Sequence, residues 1–91
     1  MFEWDDRNIA HIARHRVTPR EAEEAMVDPR RTRAAAYDVA GERRYAITGR
    51  TTRGRLITVV YTYAGEGRNQ RFRAITARPP HDAERAKYEG S

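Results

Sequence analysis

The spacing of apolar side chains changes near Arg33, from a helical period before it to alternation after it. Phe2-Glu3-Trp4 alternates apolar and polar positions and predicts a very short strand that runs into a helix N-cap at Asp5-Asp6. A helix then extends to about His15, with Ile9, Ala10, Ile12 and Ala13 as a narrow stripe for a sheet and Arg7 and Arg14 on the other side. The second helix starts at Pro19: Thr18-Pro19-Arg20-Glu21 is a capping box with proline at the first helical position, and Val17 is placed to staple onto Ala22. Asp28-Pro29 ends it, because the residue before proline resists the α region. Beyond it, alternation and β-branched or aromatic residues predict strands near Arg33–Tyr37, Arg44–Arg50, Arg55–Tyr63 and Arg71–Ala77. Pro79-Pro80 stops the last strand, and Asp82–Tyr88 forms a final short helix capped by Asp82 or His81.

The resulting expectation is a single α+β domain over residues 1–91: a short N-terminal strand, two helices packed on a four-stranded antiparallel sheet, and a short C-terminal helix. With two main helices, one sheet face is covered and the other open. In the second long strand Tyr45 and Ile47 alternate with Arg44, Ala46, Thr48 and Arg50, so the less apolar face carries two guanidiniums and is the candidate functional surface. In the third, Ile57, Val59 and Tyr61 share one face and Leu56, Thr58, Val60 and Thr62 the other; the alternation leaves open which is buried.

Composition changes this picture mainly through charge. The hydrophobic share of 38% against 34% charged residues leaves only a thin core for a chain of 91 residues. The formal net charge is +5, but residues 43–78 hold nine arginines against Glu66 alone, a balance of +8, so the excess sits in one stretch. Of 18 basic residues only Lys87 is lysine. Arginine's planar fork grips phosphate in a bidentate way, which points to a polyanionic partner. Genome base composition also favours arginine over lysine, but it does not segregate charge. No apolar run is long enough for a membrane span, and Glu3, Asp5 and Asp6 around Trp4 are unlike a signal peptide, so the expected location is the cytoplasm. The absence of cysteine removes disulfides, thiolate zinc sites and cysteine nucleophiles.

Arg44, Arg50, Arg53, Arg55, Arg71, Arg73 and Arg78 lie on neighbouring strands and turns, where they can bind several phosphates or form a solvated basic face. Parity limits them. Arg71 and Arg73 share a face, whereas Arg78, five residues on, opposes them unless a bulge or the strand end turns it round. His11 and His15 stand four apart on the first helix, a spacing able to ligate metal, but the intervening glutamate and a third ligand are missing, so no metal or other cofactor is expected. The three histidines are chemically eligible general bases, with nothing in the sequence to place them in the basic cluster. Trp4 and the five tyrosines can stack on bases or serve as core and sheet pairs.

Phe2-Glu3-Trp4-Asp5, Asn8, Arg14-His15, Val17-Thr18 with Glu21, Gly49-Arg50-Thr51 before Gly54-Arg55, the run Arg73-Ala74-Ile75-Thr76-Ala77-Arg78, and Glu84 with Tyr88 together resemble the BrnT family of ribonuclease toxins over nearly the whole chain. Two departures stand out: Arg16 where a glycine is usual, and Pro79-Pro80 after Arg78. The resemblance implies a RelE-like fold, metal-independent RNA cleavage by 2′-OH attack on the adjacent phosphate, and translation inhibition. It also implies neutralisation in a hetero-oligomer by a BrnA-like ribbon-helix-helix antitoxin, through which alone DNA is contacted. Arg78, Arg73 and Arg44 are then the expected catalytic residues and Arg50, Arg53, Arg55 and Arg71 the RNA-binding ones. The competing readings are a non-catalytic RNA- or DNA-binding regulatory module and a structural interaction domain.

Overall fold

The computed structural model describes residues 1–90 as three helices and a six-stranded mixed sheet. The strands are β1 (Phe2–Glu3), β2 (Thr32–Arg33), β3 (Tyr37–Val39), β4 (Glu42–Arg50), β5 (Leu56–Ala64) and β6 (Arg71–Arg78). The helices are α1 (Asp6–Ala13), α2 (Pro19–Met26) and α3 (Asp82–Glu89). The sheet order is β1-β6-β5-β4-β2, with β3 also paired to β4. The antiparallel meander is present in β4, β5 and β6.

Two expectations about the sheet need correction. The N-terminal strand joins it at the edge, where β1 lies parallel to β6, pairing Phe2 with Phe72 and Glu3 with Arg73. The strand expected at Arg33–Tyr37 is instead two short strands, both antiparallel to β4 at different places. Ala34-Ala35-Ala36 separates them; the Ala34 amide still donates to Ala46, but three methyl side chains offer little to hold against a pleated surface.

The helices form where their caps dictate. Asp5 caps α1, accepting from the Asn8 amide at 3.0 Å while Asn8 Oδ1 accepts from the Asp5 amide at 2.8 Å. Buried Asn8 also donates to the Glu3 carbonyl at 2.9 Å, so one amide side chain fixes the passage from β1 into α1. Thr18 and Glu21 form the expected reciprocal cap of α2. Helix α1 ends at Ala13, two residues before the expected His15, and the chain turns through Arg16 at φ 58°. That left-handed conformation is the physical reason a glycine suits the position.

Helices α1 and α2 pack on the face of Ile47, Ile57, Val59 and Tyr61, with Ile12, Val17, Ala22, Ala25 and Met26 in the same buried cluster. Contact with α2 is closest at Gly49, where an added Cβ would lie 1.9 Å from the Ala25 carbonyl oxygen. The opposite face is not open as expected. Helix α3 covers part of it, and Ala46, Thr48, Leu56, Thr58 and Val60 are buried there. Both faces of β5 are therefore buried over Leu56–Tyr61, which is why alternation alone could not choose between them.

Three polar ties hold α3. Tyr88 donates to Asp28 Oδ2 at 2.6 Å, and the Arg50 amide donates to the same oxygen at 2.7 Å, so one carboxylate joins the end of α2, the end of β4 and α3. Lys87 Nζ donates to the Arg33 carbonyl. Arg78 donates to both oxygens of Glu84, at 2.7 and 3.1 Å, and Glu84 Oε1 also accepts from Thr58 at 3.1 Å and from the His81 amide at 2.7 Å. No helix among the described residues is long and apolar enough to cross a membrane.

Arg16→Gly should raise stability by about 0.5–1 kcal/mol in chemical denaturation, the relief of a left-handed non-glycine residue less the entropy glycine adds to the unfolded chain. Unchanged or lower stability would show that Arg16 is not strained. A second expectation concerns acid. The Arg78 hydrogen bonds hold Glu84 at about 2, below its usual 4.5, despite partial burial that acts the other way. A carboxylate depressed in the folded state stabilises fully above its unfolded value, and that contribution is lost as pH falls from about 4.5 through about 2. Glu84→Gln should therefore cost on the order of 2 kcal/mol at pH 7, a gap that narrows below pH 4.5. A pH-independent gap would mean that the Glu84 charge contributes nothing to the difference.

Candidate nucleic-acid interface

The arginines expected to converge do so only in part, and a bulge decides which. Across β5 and β6 the pairing runs Thr58 with Arg78, Val59 with Ala77 and Val60 with Thr76, then Tyr61 with Ala74 and Thr62 with Arg73. Ile75 is the unmatched residue. The extra residue inverts the alternation, so Arg71, Arg73 and Arg78 all lie on the face of Thr58 and Thr62, opposite the core face of Ile57, Val59 and Tyr61. Arg44 and Arg50 reach the same face from β4. Convergence stops at the face, because Arg73 and Arg78 are opposite residues four apart on β5, roughly 13 Å of strand.

At one end of this face Arg44 and Arg73 line a groove of about 310 Å³ with Arg7 and His11 of α1, over Asn8 and the bulged segment Ala74-Ile75. Arg7 and His11, four apart on the polar side of α1, share that helix face. The four-residue spacing of Arg7 and His11 stands in the sequence, where the same spacing pairs His11 with His15 instead, but nothing there says that this side of α1 meets β6 at its bulge. His15 lies in the turn after α1 rather than on the helix, so the two histidines are not presented together.

Carboxylates restrain the groove. Arg73 Nη1 pairs with Asp5 at 2.7 Å and Glu3 at 3.5 Å, and Arg71 Nη2 pairs with Glu3 at 3.0 Å. The Arg73 hydrogen bond and the Asn8 amide hold Asp5 below the usual carboxylate range, and Asp5 in turn raises Arg73. Arg44 is paired more loosely. Its Nε lies 3.4 Å from Glu42 Oε1, yet that atom is a buried donor with no hydrogen-bond partner. A buried unmet donor costs about 1–3 kcal/mol, so this Nε is open to an acceptor brought into the groove.

The remaining arginines have other surroundings. Arg78 is locked on Glu84 beneath α3. Arg50 donates to the Gly54 carbonyl at 2.8 Å and its guanidinium sits 5.3 Å from the Tyr88 ring centre. Arg55 is on the helix side, donating to the carbonyls of His15 and Arg16 at 2.7 and 2.6 Å and pairing with Glu21 at 3.5 Å, so it closes the α1–α2 turn. Arg53 lies on the β4–β5 turn in a cleft shared with Glu21 and Glu24, whose charges oppose a phosphate. Trp4 donates to Glu23 at 2.6 Å and is spent on structure. The acids the sequence placed in the flanks thus return to the basic stretch, and the local field is weaker than the +8 balance suggested.

A family model described as a ribonuclease toxin, BrnT, of type II toxin-antitoxin systems matches residues 4–84. No curated protein matches the chain. The match starts at Trp4 and ends at Glu84, so it takes in the groove, the bulge, the contact of Asp28 with Arg50 and the Arg78–Glu84 pair, and stops short of Tyr88. A model covering this much of the sequence settles the family: the chain belongs to the BrnT ribonuclease toxins of type II toxin–antitoxin systems.

Proposed function

We propose that the chain cleaves RNA in the groove between α1 and the β6 bulge, without a metal, by attack of a ribose 2′-OH on the adjacent phosphorus. The observation that carries this reading is the meeting of Arg7, His11, Arg44 and Arg73 around one groove. In the reaction an O2′–P bond forms and the P–O5′ bond breaks, leaving a 2′,3′-cyclic phosphate and a 5′-hydroxyl. The 2′ proton leaves to a base, and the departing 5′ oxygen takes a proton from solvent water. Imidazole does such work near neutrality, which assigns His11 the 2′ proton. The pentavalent phosphorane carries an extra negative charge, and fixed guanidiniums aimed at it act electrostatically. Arg44 and Arg73 have that role, and the unmet Nε of Arg44 supports it.

Arg7 and Arg71 flank the groove and hold neighbouring phosphates, with Arg50 farther along the RNA's path, whereas Arg53, beside Glu21 and Glu24, takes no phosphate. Arg55 and Arg78 serve through the fold: the first fastens the α1–α2 turn, and the second anchors α3 through Glu84. The neutralising partner is a BrnA-like ribbon-helix-helix antitoxin, DNA being met only through it, and the place of action is the cytoplasm, where RNA loss halts translation.

With a 5′-labelled RNA, the folded chain should yield products ending in cyclic phosphate, unaffected by chelator and abolished by 2′-deoxy substitution at the cut. Arg44→Ala and His11→Ala should each lower turnover by about 10²–10³-fold with the circular dichroism spectrum retained. Arg78→Ala should lower stability instead, with less than tenfold loss per folded molecule. RNA bound by the wild type but never cut would replace this reading with a binding module. Full activity in His11→Ala would move the general base elsewhere.

A further inference from the structure

Helices α1 and α2 leave one end of their sheet face uncovered. Past the last turn of α2 lies a groove of about 470 Å³ whose floor is Tyr45, Tyr61 and Phe72 and whose wall is Met26 and Val27. Val27 is 61% exposed and Tyr63, at the groove's edge, 39%. Arg31 and Arg33 stand on one rim and also line an adjoining hollow beside Pro29. Neither forms an ion pair with a carboxylate among the described residues, unlike most arginines on the opposite face; Arg31 donates to the Asp28 carbonyl at 3.1 Å.

We infer that this groove receives a segment of the antitoxin, one that inserts apolar side chains among the rings and sets carboxylates against Arg31 and Arg33. The inference rests on the toxin–antitoxin reading above and names the surface and the chemistry of the partner. Charge complementarity favours an acidic segment, since two arginines without carboxylates border an apolar floor. Ring geometry disfavours nucleobases. Tyr45, Tyr61, Tyr63 and Phe72 pack mostly edge-to-face or tilted with centres 5.1–5.8 Å apart, so they occupy one another's faces rather than form a platform for stacking. Burial of the groove by a partner also suits a chain with a thin core.

This groove and the one holding His11 share no lining residue. Arg44 and Tyr45, and Arg73 and Phe72, are chain neighbours that alternation sends to opposite faces. Binding of antitoxin and cutting of RNA are therefore separable by substitution. Val27→Glu and Arg33→Glu alter exposed side chains that lie outside the core cluster.

The test is calorimetry of the full chain with its purified cognate antitoxin, run beside the RNA cleavage assay. Each of the two substitutions should weaken antitoxin binding at least tenfold and leave cleavage of free RNA unchanged. Affinity should fall with added salt for the wild type and less steeply for Arg33→Glu. Wild-type binding retained in both variants would overturn the surface assignment while leaving the family reading intact. Lost RNA cleavage with normal antitoxin binding would give the groove to RNA, and a concentration-dependent dimer broken by Val27→Glu would give it to a second copy. If the wild type bound no cognate antitoxin at all, the partner reading itself would fall, and this inference with it.

Discussion

Between Val60 and Tyr61 of β5, the facing strand β6 carries one residue more than pairing requires, and its side-chain parity reverses there. Without Ile75 out of register, Arg73 and Arg78 would point to opposite faces, and one of them would meet the helices that bury Ala74 and Ala77. The bulge also forms part of the groove wall where α1 passes β6, bringing Arg7 and His11 beside Arg44 and Arg73. Bulges recur where a sheet must re-aim a side chain, and here the re-aimed group is a guanidinium.

The second constraint is compensation. Like charges on adjacent strands repel, and the fold answers with carboxylates drawn from distant parts of the chain. Glu3 and Asp5 meet Arg71 and Arg73, Glu21 meets Arg55, and Glu84 meets Arg78. These pairs fasten β1 to β6, the α1–α2 turn to β5, and α3 to the sheet. Exposed pairs contribute little stability, but the half-buried bidentate pair of Arg78 with Glu84, tied to Thr58, fixes α3 over a face the sheet could not leave bare. Several residues that carried the family resemblance, among them Asn8, Glu21, Arg55, Glu84 and Tyr88, therefore work on the frame around the groove.

Local chemistry was the legible part. The capping box at Thr18, the proline at 19 and the alternation of β4 and β5 are short-range signals, and the structure follows them. Long-range pairing was not. The parallel partnership of β1 with β6 joins residues 70 apart in sequence, and nothing in Phe2-Glu3 announces it. The same blindness applies to Asp28, which reads as a helix stop before proline but receives hydrogen bonds from β4 and α3. Burial would raise Asp28, yet the Tyr88 hydroxyl and the Arg30 and Arg50 amides outweigh it and hold it low. For the site, parity in the sequence already put Arg44 with Arg50 and Arg71 with Arg73 on shared faces, but it gave the bulge that brings Arg78 to them only as a condition, and His11 takes its place only through the packing of α1 against that bulge.

The proposed cleavage turns on where a phosphodiester sits. Nuclear magnetic resonance of the isotope-labelled chain with a short RNA carrying 2′-O-methyl groups, which binds but lacks the attacking hydroxyl, reads that position directly. The largest shifts should fall on Arg7, His11, Arg44 and Arg73, with Ile75 beside them. Shifts centred instead on Arg20 and Arg53 in the cleft beside α2, or on Tyr45, Tyr63 and Arg33, would contradict it.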